Sequence, residues 1–364
     1  MSRQLYLHIG LQKTGTSYLQ GILLASREEL LEQDVDLVLR RRAAFWLMLD
    51  VRDRLLPHDP AEAATVLPGL SAMLEGCTGS RAVISEESLS PADDTQIARL
   101  LAACGDREVH VIVTCRDLAR QIPSVWQQGL QSGRRSTFAR YLRRLRETEG
   151  TDASIWWQKD LPGVLERWSR HVPPERIHVV PVPPAGSDPD LLLDRYCSVL
   201  GVDPSRLDRE AVGRGNRGLR LEQAEVLLRV NQTVPDGLKR RDAFGKVGKR
   251  YLSTQILGSA EGRRILVPPE HAAWCRDLSR RYVEHVRAGG FDVAGDLDDL
   301  LPRDSEFADG PEVVTDAELA DAAIRALSEI VTRQLTEEID RTEEVGVPRE
   351  VQPDDRGWWR RLRR

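Results

Sequence analysis

The sequence predicts an α/β fold, a three-layer arrangement in which helices cover both faces of a parallel sheet of about five strands. Five short runs in the first half are rich in β-branched and other apolar residues, at positions 5–9, 35–39, 82–85, 109–115 and 177–182. Helix-like or polar stretches separate each run from the next. Strands that are apolar on both faces and alternate with helices are typical of a sheet covered on both sides. We therefore expect one doubly wound sheet.

Helices dominate the second half of the predicted fold. Residues 222–231 and 271–287 carry apolar side chains at helical spacing, and Gly289-Gly290 gives a stop signal for the second helix. We expect this half to pack over the sheet as a cap. The acidic, proline-containing segment 301–311 has no periodic pattern and is predicted to form a linker.

A single helix is predicted after this linker. Thr315 and Glu318 have the spacing of a capping box, and apolar residues then recur four positions apart at Leu327, Val331, Leu335 and Ile339. Such a helix either docks on the body or self-associates. A solvated tail is the favoured interpretation of the aromatic and basic residues 358–364, with contact to an anionic membrane surface or a partner as the alternative. The predicted divisions are residues 1–300, 301–314 and 315–364.

Composition limits the class of protein and of partner. The 364 residues are 41% hydrophobic and 30% charged, with a formal net charge of −5. These values exclude a collagen, a membrane bundle and a wholly disordered chain. A negative net charge argues against a general nucleic-acid surface but allows a local anion pocket. We expect small-molecule partners and no nucleic acid.

Cysteine usage and the shortness of the apolar runs predict the compartment. The five Cys residues are scattered singly, and no His pair has metal-ligand spacing, so reduced thiols and no metal are expected. The apolar segment 5–9 is too short for a signal-peptide core, and no run approaches the ~18 residues of a spanning helix. A cytoplasmic protein is therefore predicted.

The first strand runs into a turn that has the composition of an anion cradle. The turn reads Lys13-Thr14-Gly15-Thr16-Ser17-Tyr18, and an amphipathic helix follows it. Backbone N–H groups converge at such a strand–loop–helix junction, and the helix dipole adds positive potential. Lys13 is one of five Lys residues in a chain with 47 Arg. We expect phosphate or sulfate as the guest.

The spacing within this turn distinguishes between two kinds of cradle. A nucleoside-triphosphatase loop has Lys directly after its last Gly, whereas here Thr16 follows Gly15 and Lys13 lies two residues before it. The turn instead resembles the 5′-phosphosulfate loop of sulfotransferases that use 3′-phosphoadenosine 5′-phosphosulfate (PAPS). That loop reads Lys-[Ser/Thr]-Gly-Thr-[Thr/Ser] and an aromatic residue, and residues 13–18 fit it at all six positions.

A second motif lies in the expected order along the chain. The strand at 109–115 ends in Arg116-Asp117, with Ser124 eight residues after the Arg and Trp126 two further on. This resembles the 3′-phosphate motif of the same sulfotransferases. An Arg fork at a strand end and a Ser hydroxyl in the next helix are suited to hold one phosphate. Leu118 stands where the family has Pro, which loosens the turn but removes no ligand group.

The candidate base lies after the strand at 82–85. Glu86 and Glu87 follow it directly, at the strand end where α/β sheets bind ligands, and they resemble the strand-terminal Glu of sulfotransferases that act on sugars. Glu86 is the first choice and Glu87 the second; acidic residues favoured by a helix N-terminus are the alternative. His8 and His110 lie within strands and are expected in the core.

Further residues that could contact the 3′-phosphate lie on Gly-flanked basic loops. An ordinary solvated loop is the alternative. These residues are Arg214, Asn216, Arg217, Lys246, Lys249 and Arg250. Lys159 and Lys239 are expected at the surface. Four Trp residues are expected either to line the acceptor pocket or to pack in the core. They are Trp46, Trp126, Trp156 and Trp157.

The resemblance implies a P-loop NTPase-like architecture and a sulfotransferase of the bacterial type. The implied reaction moves a sulfuryl group from PAPS to the hydroxyl of a small molecule or glycan. Lys13 would offset charge on the leaving oxygen, and residues 13–18 with Arg116 and Ser124 would bind the nucleotide. The alternatives are a P-loop kinase and a noncatalytic nucleotide-binding scaffold.

Overall fold

The structure is a computed structural model that describes residues 3–157, 159–213, 218–258, 260–310 and 313–344. It confirms the α/β class. One parallel sheet has the strand order β2-β3-β1-β4-β5-β6. The strands are β1 Gln4–Gly10, β2 Val35–Leu37, β3 Arg81–Ser85, β4 Glu108–Cys115, β5 Ile177–Pro181 and β6 Asp292–Val293.

The sixth strand extends the predicted sheet. β6 has two residues, which pair with β5 as His178↔Asp292 and Val179↔Val293. Two residues give no periodic signal, so β6 could not be detected in the sequence.

Helices account for most of the remaining chain. The α-helices are α1 Thr16–Ala25, α2 Arg27–Glu32, α3 Arg41–Val51, α4 Leu70–Glu75, α5 Asp94–Ala103, α6 Leu118–Gln131, α7 Phe138–Glu147, α8 Leu161–Ser169, α9 Leu191–Leu200, α10 Leu221–Thr233, α11 Arg241–Phe244, α12 Ala272–Ala288 and α13 Asp316–Glu344. A π-helix spans Gly245–Leu257. Short 3₁₀ turns include Glu87–Leu89 and Asp304–Glu306. No helix among the described residues is both long and apolar enough to cross a membrane.

The sheet separates two apolar layers, as a doubly wound fold requires. Alternate residues of β1 face opposite sides, so Leu5 and Leu7 pack with α3, α5, α6, α8 and α12, whereas Tyr6 packs with α1, α2 and α9. The predicted cap helices correspond to α10 and α12, whose buried residues join the larger layer. The second half of the chain therefore completes the core.

Parallel pairing brings three chain turns to one edge of the sheet. β1 lies between β3 and β4, with His8 level with Ser85 on one side and Ile112 on the other. The residues that follow these three strands therefore meet at the carboxyl edge, the usual ligand-binding edge of such sheets. They are the Lys13 turn, the Glu86-Glu87 pair and Arg116.

The segment predicted as a linker packs against the body. Glu306, Phe307 and Ala308 are buried, and Phe307 forms a β-bridge with Val267. Arg264 pairs with the buried Glu306 carboxylate at 3.1 Å. The sequence did not predict this packing, because isolated apolar residues make the contact and leave no periodic pattern. The domain boundaries stay a prediction.

The predicted capping box and C-terminal helix are present. The Thr315 N–H donates to Glu318 Oε2 at 2.7 Å, and the Glu318 N–H donates to Thr315 Oγ1 at 3.3 Å. α13 docks through the small buried residues Ala322 and Ala326, in the same apolar layer as α10. The apolar stripe predicted from four-residue spacing lies on its opposite, exposed side.

Lys159 is not at the surface, contrary to the expectation from sequence. Its exposed fraction is 3%, and its ammonium group lies 5.7 Å from the centroid of the Tyr141 ring. Burial lowers the pKa of Lys159 to about 7, and Arg134 adds to the shift. Lys239 is partly buried and pairs with Asp236 at 3.1 Å.

We predict that Lys159→Met stabilises the folded protein at pH 7 by more than about 1 kcal/mol. The folded pKa near 7 lies below the ordinary value of 10.5, so between these pH values the unfolded chain holds a proton that the folded chain lacks. The contribution of Lys159 to stability therefore rises with pH through this window, and its cost is greatest below pH 7. Urea unfolding at pH 7 and pH 10 measures both effects.

Lys239→Met is the matched control, because it removes an ion pair rather than a buried charge and should not stabilise. A Lys159→Met protein that is no more stable than the wild type at pH 7 would contradict the assignment.

Candidate functional site

The turn between β1 and α1 adopts a backbone that depends on glycine. Gly10 has φ +103°, and a Cβ there would lie 2.9 Å from the Glu87 carbonyl oxygen. Gly15 has φ +86°, and a Cβ would lie 2.5 Å from Leu192 Cδ2. Lys13 adopts φ +64°, an unfavourable conformation for a residue with a side chain. Gly10 thus allows the Lys13 turn to lie directly against the Glu86-Glu87 turn.

The N-terminus of α1 is open to an anion. The helix begins at Thr16 after the Gly15 N-cap, with no side-chain cap and no acidic residue in its first turn. The first N–H groups of a helix have no partner within it and carry partial positive charge. This end of α1 is therefore suited to bind phosphate or sulfate.

A buried polar network supports the turn from below. Thr14 Oγ1 donates to the Leu11 carbonyl and also contacts Thr114 Oγ1, each at 2.6 Å. His8 links Thr114 at 3.2 Å to Ser85 at 2.7 Å. Burial lowers the pKa of His8 to about 3, so it stays neutral. His8 therefore lies in the core as expected, and the Thr14 side chain belongs to this floor.

Arg116 joins the two predicted motifs. Its Nη1 donates to the Lys13 carbonyl at 3.3 Å, while its buried Nε has no hydrogen-bond partner among the described residues. Burial lowers the pKa of Arg116 to about 10. Asp117 caps α6 by accepting from the Arg120 N–H at 2.9 Å, so this hydrogen bond fixes the turn at Leu118.

Ser124 and Trp126 lie on α6 with different surroundings. Ser124 lines the pocket, and its hydroxyl donates to the Arg120 carbonyl at 2.9 Å. Trp126 is buried, and its Nε1 donates to the Ser136 carbonyl at 2.8 Å. Its ring centroid lies 5.0 Å from that of Phe138. Ser124 therefore faces the site, whereas Trp126 packs in the core.

One pocket of about 740 Å³ connects most of the predicted residues. The cradle residues that line it are Lys13, Gly15, Thr16, Ser17 and Tyr18, and Arg116, Ser124, Glu87 and Lys249 line it as well. The lining does not include Thr14 or Glu86. The structure thus brings both motifs and one of the two candidate bases together.

Glu87 lies on the pocket side of the acidic pair, close enough to Lys13 to affect its titration. Burial lowers the pKa of Lys13, Glu87 opposes this shift, and Lys249 and Arg116 add to it. The pocket therefore contains an ammonium group whose charge is disfavoured by burial and by two neighbouring cations.

Glu86, the first choice from sequence, has a different place. Its exposed fraction is 8%, and its Oε1 accepts from the Ser88 N–H at 3.0 Å. Burial raises the pKa of Glu86 to about 7, although the Ser88 hydrogen bond opposes the shift. Glu86 has extended backbone and caps the 3₁₀ turn that begins at Glu87, and only Glu87 of the pair lines the pocket.

Several pocket residues had no recognisable sequence signal. They are Arg41, Arg220, Arg264 and Glu306. Arg41 Nη2 lies 3.5 Å from Ser17 Oγ. Each Arg is one of 47 in the chain, so residue type alone did not distinguish it.

The weaker sequence candidates divide into three groups. Lys249 lines the pocket, whereas its neighbours Lys246 and Arg250 do not. Arg214, Asn216 and Arg217 lie outside the described residues, although the flanking Gly213 and Gly218 line the pocket.

The remaining aromatic candidates lie elsewhere. Trp156 is buried, Trp157 is exposed and Trp46 lies under the Arg42 guanidinium at 4.6 Å. None of these three lines the described pocket. His110 stacks on His178 at 5.2 Å near the start of β4, away from the site.

Comparisons with known proteins add little to what the geometry of the site shows. No family model matches the chain, and no curated protein matches it. Among solved structures, the chain is similar to a sulfotransferase domain from the curacin biosynthetic pathway, with 15% identity and a TM-score of 0.32. The match covers 59% of this chain and 81% of that one. A likeness this remote carries no argument about function.

We predict that Glu86→Gln stabilises the protein at pH 8 by about 1 kcal/mol or more. The folded pKa of about 7 lies above the ordinary 4.5, so between these pH values the folded chain holds a proton that the unfolded chain has lost. Stability from this group is therefore full below pH 4.5 and is lost as the pH rises through 7. Urea unfolding of both proteins at pH 5 and pH 8 tests this.

Glu28→Gln, at an exposed position, is the control variant. The assignment would be wrong if the stability difference between Glu86→Gln and wild type did not grow from pH 5 to pH 8.

Proposed function

We propose that this protein is a PAPS-dependent sulfotransferase that sulfates a hydroxyl of a small molecule or glycan. The observation that carries the proposal is the meeting of two motifs 103 residues apart, where Arg116 Nη1 donates to the Lys13 carbonyl at 3.3 Å. Each motif alone is short. Their convergence on one pocket at the carboxyl edge of the sheet supports a common ligand.

The pocket fits a nucleotide that carries two separate anionic groups. The open end of α1 with Lys13 and Ser17 would hold the 5′-phosphosulfate. Arg116, whose buried Nε has no partner among the described residues, would hold the 3′-phosphate with Ser124. The volume of about 740 Å³ lies within the usual range for ligand sites.

PAPS supplies the sulfuryl group: a bond forms between sulfur and the acceptor oxygen as the bond to the nucleotide phosphate oxygen breaks. Lys13 stabilises the charge that develops on that leaving oxygen. We assign the base role to Glu87, because it lines the pocket and Glu86 does not. The Glu87 carboxylate accepts the proton that the acceptor hydroxyl loses.

Labelled PAPS tests the proposal directly. The purified protein is incubated with ³⁵S-labelled PAPS and a small-molecule or glycan extract, and labelled products are identified by mass spectrometry. We expect a sulfate ester and adenosine 3′,5′-bisphosphate, which should also raise the melting temperature more than ATP–Mg²⁺ does. Transfer from γ-labelled ATP would indicate a kinase instead, and nucleotide binding without transfer would indicate a scaffold.

The Lys13→Ala variant separates specific transfer from background in that assay. Removing one group that stabilises developing charge should lower turnover by about a hundredfold or more. Lys246→Ala is the matched control, since Lys246 is exposed and does not line the pocket. Wild-type turnover in Lys13→Ala would remove Lys13 from the mechanism.

The acidic pair gives a second test of the mechanism. We predict that Glu87→Gln lowers turnover by about a hundredfold or more and leaves binding of adenosine 3′,5′-bisphosphate intact. Glu86→Gln should retain most of its turnover, because its amide oxygen still accepts from the Ser88 N–H. Calorimetry measures the binding and the label assay measures turnover. The reverse pattern would assign the base role to Glu86.

A further inference from the structure

Five large apolar side chains form a stripe along the exposed side of α13. Each is between 55% and 62% exposed, and the residues are Ile324, Leu327, Val331, Leu335 and Ile339. They recur every three or four positions, so they share one side of the helix over about 22 Å. We call these five residues the α13 stripe.

The carboxyl half of α13 extends beyond the part of the helix that packs on the body. Its amino half docks through Ala322 and Ala326, and Arg333 Nη2 donates to the Gln255 carbonyl at 3.3 Å. Residues 334–341 are all exposed. A helical extension without tertiary packing is only marginally stable, and a contiguous apolar stripe is typical of a binding surface. We therefore expect a binding partner to cover the α13 stripe.

The charge of the helix limits what that partner can be. Residues 316–341 contain seven Asp and Glu residues but only three Arg. Asp321 and Glu338 lie nearest the α13 stripe along the helix face, and each pairs with an Arg of the same helix, Arg325 and Arg341 respectively. A second copy of α13 would bring two acidic faces together, which disfavours self-association. The complementary partner is apolar and basic.

The chain itself contains such a segment. Residues 358–364, which lie outside the described part of the structure, comprise Trp358, Trp359, Arg360, Arg361, Leu362, Arg363 and Arg364. Residues 345–357 connect this segment to the end of α13. Thirteen residues can span about 43 Å when extended, roughly twice the length of the α13 stripe. The segment can therefore reach any part of it.

We propose that residues 358–364 bind the α13 stripe of the same chain. The two Trp residues and Leu362 cover the apolar side chains, and the Arg residues offset the excess negative charge of the helix. This aromatic-basic peptide stabilises the projecting half of α13. The proposal does not depend on sulfuryl transfer.

Hydrogen exchange of the full-length protein tests the contact. In the double variant Trp358→Ser/Trp359→Ser, we expect exchange within residues 334–341 to become about tenfold faster or more, while exchange in α10 stays unchanged. Trp157→Ser is the matched control, because it removes an exposed Trp from another part of the chain. A synthetic peptide of residues 356–364 should restore protection to the double variant, and the same peptide with both Trp replaced by Ser should not.

A second variant examines the receiving surface. Leu335→Asp in the full-length protein should accelerate the same exchange, and the added peptide should not restore it. Unchanged exchange in the double Trp variant would overturn the proposal. So would protection that increases with protein concentration, which indicates a second copy, or Trp-dependent binding to phosphatidylserine vesicles with no effect on α13 exchange.

Discussion

The hydrogen bond from Arg116 to the Lys13 carbonyl fixes the relation between two chain turns, and the candidate site depends on it. The Lys13 turn is held on its other side by the close approach of Gly10 to Glu87. Three consecutive neighbours in the sheet, β3, β1 and β4, thus carry turns that contact one another. Because the strands set the positions of these turns, a loop with an unfavourable backbone at Lys13 is maintained in one conformation.

The same arrangement concentrates positive charge. Burial and neighbouring cations lower the pKa of both Lys13 and Arg116, so each group is less stable as a cation here than in water. An anion bound between them would replace the lost hydration and offset the mutual repulsion. Asp117 and Glu306 already neutralise Arg120 and Arg264 respectively. The remaining cations among the described residues that line the pocket are Lys13, Arg116, Lys249, Arg41 and Arg220.

Much of this could be predicted from local sequence. The apolar runs predicted five strands because a parallel strand that is buried on both faces forms a continuous apolar run. The Lys13 turn was identified because a loop of Gly, Thr and Ser follows an apolar strand and precedes an amphipathic helix. The sequence could not decide between Glu86 and Glu87, because the choice depends on the exact residue at which β3 ends and therefore on which of the two side chains faces the pocket. Burial of Lys159 was also hidden, because a single Lys beside Trp156 and Trp157 gives no sign of which side faces the core.

α13 shows why periodicity alone does not identify a docking face. Both sides of the helix carry apolar residues, but the small Ala322 and Ala326 allow closer approach to the body than the larger side chains of the α13 stripe do. Its first turn is anchored where Arg263 pairs with Glu318 at 3.1 Å and with Glu222 of α10 at 2.6 Å. The next residue, Arg264, lines the pocket. The anchored end of α13 therefore adjoins the site, and Arg333 further along the helix donates to the Gln255 carbonyl of the π-helix that also carries Lys249. α13 thus supports the pocket wall from two places along its length.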